Sequence, residues 1–363
     1  MKNGFLRRVL IALIISIHLV ASSISAQVDF SGLDTFWEIV SILEKDDNPP
    51  AELWEKLFTN PGYTALTKSE FRREFFIKRF ELAFMPSRKS ERDKHLKSAE
   101  GWTVSYLKHY IRVGEMRKPI MSFRHRLEKE SLIARAVDIA ADWLPLSSIE
   151  SHPPVSFVVF GPDARGYTPV VIDILYGMDK GNNLINLLAH EFHHYYRNRI
   201  LAFDRDKVPK VDMDIIWVFD QLQAEGTASI VTYRHLLGKD NLTEELPESF
   251  RNFFRKSPEI IRTLDDLLSR MAERPEEKIK LGKELRKTIP RSGHPTGFFM
   301  ALTILNTLGA DALIKETGNP FNFVYLYQQS AARMKGEAPL FSEKSIEFLK
   351  NLENRMSRRS ENL

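Results

Sequence analysis

The 363-residue chain carries 52 lysines and arginines against 48 aspartates and glutamates, and it has no cysteine. Without cysteine there is no disulfide, no thiolate metal ligand, no cysteine nucleophile and no residue to acylate at a leader's cleavage point. Three of the basic residues and none of the acidic ones fall in the first 26 positions. The remainder balances at 49 against 48, which gives no ground for a nucleic-acid or anionic-membrane partner despite a pI near 9.0.

Lys2, Arg7 and Arg8 precede an apolar run from Val9 to Val20, and Ser25-Ala26 are small, the pattern of a cleavable secretory signal. Cleavage is expected before Gln27, or before Ile24 if the cut follows Ser23, because Ile24 is bulky for a site three residues ahead of the later cut. About a dozen apolar residues fall short of the roughly 20 that span a bilayer. No later stretch is longer, so the mature chain is expected to be soluble, secreted or periplasmic, and free of stable membrane insertion.

Beyond the leader, Asp34 to about Lys45 suits an amphipathic helix, Ala51 to Phe58 a second, and Asn60-Pro61-Gly62 a turn. Thr67 and Glu70 read as a capping box opening a helix with Phe71, Phe75, Phe76, Phe80 and Leu82 in the core. Helices are expected over Gly101 to Val113 and Pro119 to Ala141. After His152-Pro153-Pro154 the texture becomes β-branched: Val155 to Phe160 and Val170 to Leu175 read as a hairpin whose edge could pair with an extended peptide.

The next segment, Asn183 to Arg199, places Leu184, Leu187, Leu188 and Phe192 at helical spacing and contains His190-Glu191-Phe192-His193-His194. On a helix, His190 and His194 lie one turn apart on one face, so both imidazoles can converge on a zinc ion while Glu191 reaches the attacking water. His193 could compete, but spacing favours His194. A catalytic zinc takes three protein ligands. In the helical stretch from Met213 to Leu237, Glu225 is followed by small residues and is the first choice for the third, with Asp220, Asp173 and His294 as alternatives. Further helices are expected over Ser249 to Phe254, Glu259 to Arg270, Glu276 to Arg286, Pro295 to Leu308, Pro320 to Arg333 and Ser342 to Met356. The chain therefore divides into a leader (1–26), a helical N-terminal region (27–150), a zinc-binding core (151–237) and a helical C-terminal lobe (238–363).

With His190, Glu191, His194 and Glu225 placed, the stretch from Val155 to Val231 resembles the gluzincin class of zinc metallopeptidases. Its E-G-x-A run at Glu225 and the preceding strands look most like uncharacterised bacterial families of secreted zinc-dependent peptidases. Trp54 to Tyr63 and Gly293 to Ala301 resemble them more loosely. The resemblance implies a mainly helical α+β, zincin-like fold: a small sheet above the active-site helix, a helical lobe below, and a peptide or protein substrate along the edge strand. It also implies a departure. Such relatives carry an acidic residue one turn after the glutamate ligand to orient a zinc histidine, and Ser229 stands there, leaving that role to Asp220 or Asp173 if a carboxylate fills it. Glu191 would be the general base, and His294, just before a helix, the first candidate for oxyanion donor, ahead of Tyr233, Tyr325 and Tyr327. Two other readings compete: a binding or scaffold protein with an inactive core, against which Glu191 argues because a structural site needs no base, and a zinc hydrolase of another amide or ester.

Overall fold

The computed structural model describes residues 28–361 apart from 98–100, 129–130 and 335; the expected leader lies outside the described residues. The N-terminal part runs β1 (Val28–Asp29), α1 (Ser31–Leu43), α2 (Ala51–Thr59), α3 (Pro61–Ser69), α4 (Arg73–Phe84), α5 (Lys89–Lys97), α6 (Trp102–Glu115), α7 (Arg117–Leu127) and α8 (Leu132–Ala141). Three further strands, β2 (Val155–Val158), β3 (Ala164–Arg165) and β4 (Val170–Asp173), lead through α9 (Ile174–Asp179) into α10 (Leu184–Arg199) and α11 (Met213–Tyr233). The rest is helical: α12 (Leu242–Glu245), α13 (Glu248–Arg255), α14 (Ser257–Glu273), α15 (Lys278–Thr288), α16 (His294–Leu308), α17 (Ala310–Lys315), α18 (Pro320–Arg333) and α19 (Glu343–Glu361). The fold is thus mainly helical α+β, as expected. No helix of the described residues is long and apolar enough to cross a membrane.

Of two local expectations near the N-terminus, one holds and one is overturned. The chain does turn at Asn60, which ends α2 and at once caps α3: its side chain accepts from the Gly62 N–H, and proline at the first helical position costs no hydrogen bond. Thr67 does not cap the following helix but sits inside α3, its hydroxyl donating back to the Tyr63 carbonyl, and α4 starts only at Arg73. The stretch expected as one helix from Pro119 to Ala141 is split into α7 and α8.

The expected hairpin is also overturned. β2 and β4 pair in parallel, Val155 opposite Val170 and Val158 opposite Asp173, and the sheet order is β1-β2-β4-β3. Every residue of both strands is buried, as parallel strands covered on both faces require, and their unbroken apolar runs are the sequence trace of it. The crossover between them contains β3, which folds back antiparallel on β4 with Ala164 opposite Ile172. Asp173 fixes that crossover, its carboxylate accepting from the Phe160, Gly161 and Tyr176 N–H groups at 2.9, 3.2 and 2.9 Å and facing His109 at 3.0 Å. Because β2 and β4 are both interior, neither can take up a peptide; the edge on this side of the sheet is β3.

Apolar burial gathers into two clusters. One packs α1–α4, α6–α8, the sheet and α10; the other packs α11, α14–α16, α18 and α19. Helix α11 touches both, through Val231 on one side and Ile215, Val218, Phe219 and Leu222 on the other. Its contact with α10 is where the two clusters meet.

Candidate metal centre

Helix α10 buries Leu184, Leu188, Phe192, Tyr195 and Tyr196, which turns His190 and His194 toward α11. His193 points into the core with no exposed surface, and burial holds its imidazole well below the ordinary pKa, so it stays a neutral core residue. Glu225 arrives from α11. The Nε2 atoms of His190 and His194 are 3.0 Å apart, and Glu225 Oε2 lies 3.5 Å from the first and 3.2 Å from the second.

These three spacings suit zinc. Ligand bonds of about 2.0–2.1 Å in tetrahedral geometry put neighbouring ligand atoms about 3.3 Å apart. Two imidazoles and one carboxylate are also the donor set of a site that leaves a position open.

His294 joins from the first turn of α16. Its Nε2 lies 2.8 Å from Glu225 Oε2, and its ring stacks on His190 at 5.7 Å and 9°. One donor atom from each of His190, Glu225 and His294 lies within 4.8 Å of the others, so two triplets share His190 and Glu225; the one with His194 has all three spacings between 3.0 and 3.5 Å. The side chain of His294 is 35% exposed against 13% for the other three, which places it toward the opening of the site.

The helix crossing explains how a residue so distant in sequence gets there. Gly226 and Gly297 meet where α11 and α16 cross: a Cβ on Gly226 would stand 2.4 Å from the Gly297 carbonyl oxygen, and one on Gly297 would stand 2.1 Å from that of Leu222. Only glycines allow that approach, and it brings the start of α16 against Glu225. The preceding turn is held in left-handed conformations at Arg291, Ser292 and Gly293 (φ 48°, 52° and 89°). For two non-glycine residues this is strained backbone, of order 1–3 kcal/mol each, of the kind that clusters at functional sites. The Arg291 carbonyl accepts from His294 Nδ1 at 2.7 Å, which directs Nε2 at the site.

The charges at the site are uneven. Burial pulls the His190 imidazole down to about 4, against the pull of the Glu225 carboxylate. Burial works the same way on His194 and His294, but there the Glu225 carboxylate outweighs it, raising His194 and pushing His294 up to about 9. Glu225 would itself be raised by burial, yet His194 and His294 hold it well below the carboxylate range. Burial raises the neighbouring Glu191 to about 7, against the pull of His194. Two carboxylates in one site are thereby set apart, one firmly ionised and one poised near neutrality.

Asp220 does not reach the site: Arg197 and Arg205 hold it at 2.6 and 2.8 Å, and they keep its carboxyl below the ordinary range against burial. Asp173 is likewise committed to the crossover. Tyr325 gives its hydroxyl to Glu353 and Tyr327 to the Pro339 carbonyl, whereas Tyr233 packs on Phe250 and Phe298. Three features escaped the sequence reading. Arg197, fully buried, ties α10 to α11 through Asp220 and Gln223. Gly166, just after β3, passes so close to α10 that a Cβ there would stand 2.6 Å from His194 Cβ and 3.4 Å from Glu191 Oε2. His190 Nδ1 meets the Ala228 carbonyl and the Thr232 hydroxyl. Only the last left a signal, a hydroxyl residue two helical turns after Glu225.

Residues 54–336 match the family described as "Putative zinc dependent peptidase (DUF5700)". No curated protein and no solved structure matches the chain.

Proposed function

From the chain's membership of this zinc-dependent peptidase family, to which it belongs over most of its length, we propose that it is a secreted or periplasmic metallopeptidase of gluzincin type. In this reading His190, His194 and Glu225 hold the zinc, Glu191 is the general base and His294 the oxyanion donor. The observation that carries it is the mutual spacing of 3.0–3.5 Å among the three ligand atoms, with Glu191 buried beside them. Zinc bound there supplies Lewis acidity toward the scissile carbonyl and lowers the pKa of water.

The chain's own groups do the rest. Glu191, buried beside the ligands, would take a proton from the attacking water and return it to the leaving amine. A peptide lying along β3 would run toward Gly166, where the absence of a side chain lets the backbone after β3 sit directly against His194 and Glu191. His294, fixed by the Arg291 carbonyl and the glycine crossing, directs Nε2–H to the oxygen on which negative charge develops. Replacement of His294 by alanine is expected to lower turnover by about two to three orders of magnitude with the metal retained. Single-turnover rates beside zinc content check this, and unchanged turnover would make His294 structural.

Metal analysis of the purified mature protein, together with a mixed-peptide cleavage screen with and without a chelator, tests the whole reading. Zinc-free protein that cleaves peptides, or zinc-loaded protein that cleaves none, defeats it. Export is checked separately. Mass spectrometry of the protein recovered outside the cytoplasm should find Gln27, or Ile24, at its N-terminus, and an intact Met1 on a membrane-bound species would refute the leader.

A further inference from the structure

A histidine that binds metal through one ring nitrogen is held in tautomer and orientation by what its other nitrogen meets, usually a carboxylate or a carbonyl. We propose that Thr232, together with the Ala228 carbonyl, is the positioning pair that fixes His190 for zinc. This rests on the zinc site described above.

The geometry forms a closed triangle. His190 Nδ1 is 2.9 Å from Thr232 Oγ1 and 3.1 Å from the Ala228 carbonyl oxygen, and Thr232 Oγ1 is 3.1 Å from that same oxygen. A carbonyl can only accept, so the nitrogen facing it carries the proton. That makes Nδ1 the N–H and leaves the lone pair on Nε2, the atom that faces His194 and Glu225. The Thr232 hydroxyl gives its own proton to the Ala228 carbonyl and so presents lone pairs to Nδ1–H. Both partners of the ring are therefore acceptors, and both are neutral.

Neither of the two aspartates expected for this role competes for the place. Asp220 is held by Arg197 and Arg205, and Asp173 by backbone N–H groups and His109. Ala228 and Thr232 lie three and seven residues after Glu225, so one face of α11 carries the carboxylate ligand, the carbonyl and the hydroxyl in line against α10. A neutral pair orients the ring without adding negative charge, so His190 is a less basic ligand than one supported by a carboxylate.

The test is the zinc dissociation constant of the full mature chain, measured by competition with a chromophoric chelator. Thr232→Val keeps the shape and removes the acceptor, and should weaken zinc binding by about 10- to 100-fold, whereas Thr232→Ser should bind within a few-fold of the parent. Nitrogen-15 spectra of the metal-free parent should already show the His190 proton on Nδ1, where no metal on Nε2 dictates the tautomer, a readout that a purely structural threonine would not move and that stands even if the valine variant misfolds. Valine-variant affinity equal to the parent's, or a proton on Nε2, overturns the proposal. Loss of zinc binding in the parent would overturn the metal site itself, a different failure from parent and Thr232→Val binding alike.

Discussion

Glu191→Gln is expected to keep stoichiometric zinc while losing at least the roughly 100- to 10,000-fold that a general base contributes. Glutamine fills the same volume and can still accept a hydrogen bond, but it cannot take a proton from water. The same substitution has a second, independent effect on stability. Burial raises the Glu191 carboxyl to about 7 in the metal-free fold, above its ordinary value of 4.5, so ionising it opposes folding. That penalty is absent below the unfolded value, grows between the two and is complete above the folded one. The metal-free Glu191→Gln protein should therefore melt above the parent at pH 8, with the gap closing toward pH 4.5. Thermal unfolding across that range, beside a peptide assay of the loaded forms, checks both effects. Full hydrolysis by the variant would end the assigned role of Glu191.

Gain of stability with loss of turnover is what a buried catalytic carboxylate should show, and a merely structural one should not. A carboxylate placed for stability would be paired, as Asp220 is by two arginines, and its removal would weaken the fold. The contrast between the two acids on neighbouring helices gives an internal control.

How much of this was legible in the sequence depended on the range of the interactions. The motif on α10 could be read because its geometry is local: four residues of helix fix the relation of His190 to His194 whatever the rest of the chain does. Glu225 was legible for a weaker reason, the small residues beside it, which turned out to serve the α11–α16 crossing. The direction of the strands was not. Val155 to Val158 and Val170 to Val171 look alike whether paired parallel or antiparallel, and the deciding contacts, Asp173 with the Phe160 and Gly161 amides, span more than ten residues. The short strand β3 was hidden for a related reason. Two residues carry no periodicity, and Ala164 and Arg165 read as part of a turn until β4 is there to pair with them. His294 was proposed from a glycine and a helix start, whereas what brings it to Glu225 is a glycine pair on two helices and a strained turn, a tertiary fact with no local trace.

Glu225→Ala should have the opposite phenotype to Glu191→Gln. In the proposed site Glu225 is the anionic ligand, and its carboxylate faces both His194 and His294, so alanine would remove a ligand and unbalance the two histidines. Zinc affinity is expected to fall by at least about 100-fold, beyond the 10- to 100-fold typical of a lost supporting partner. Turnover should follow the metal, and excess zinc should restore part of it if His190 and His194 still hold the ion. Equilibrium zinc titration of the variant, with activity measured over the same zinc range, separates the two acids: Glu191→Gln stays loaded and inactive, Glu225→Ala is empty and in part recoverable. His294→Ala serves as the third arm. If His294 donates to the oxyanion it stays loaded; if the triplet of His190, Glu225 and His294 binds the ion instead, it loses zinc as Glu225→Ala does. Parent-like zinc binding by Glu225→Ala would place the third ligand elsewhere and end the gluzincin assignment.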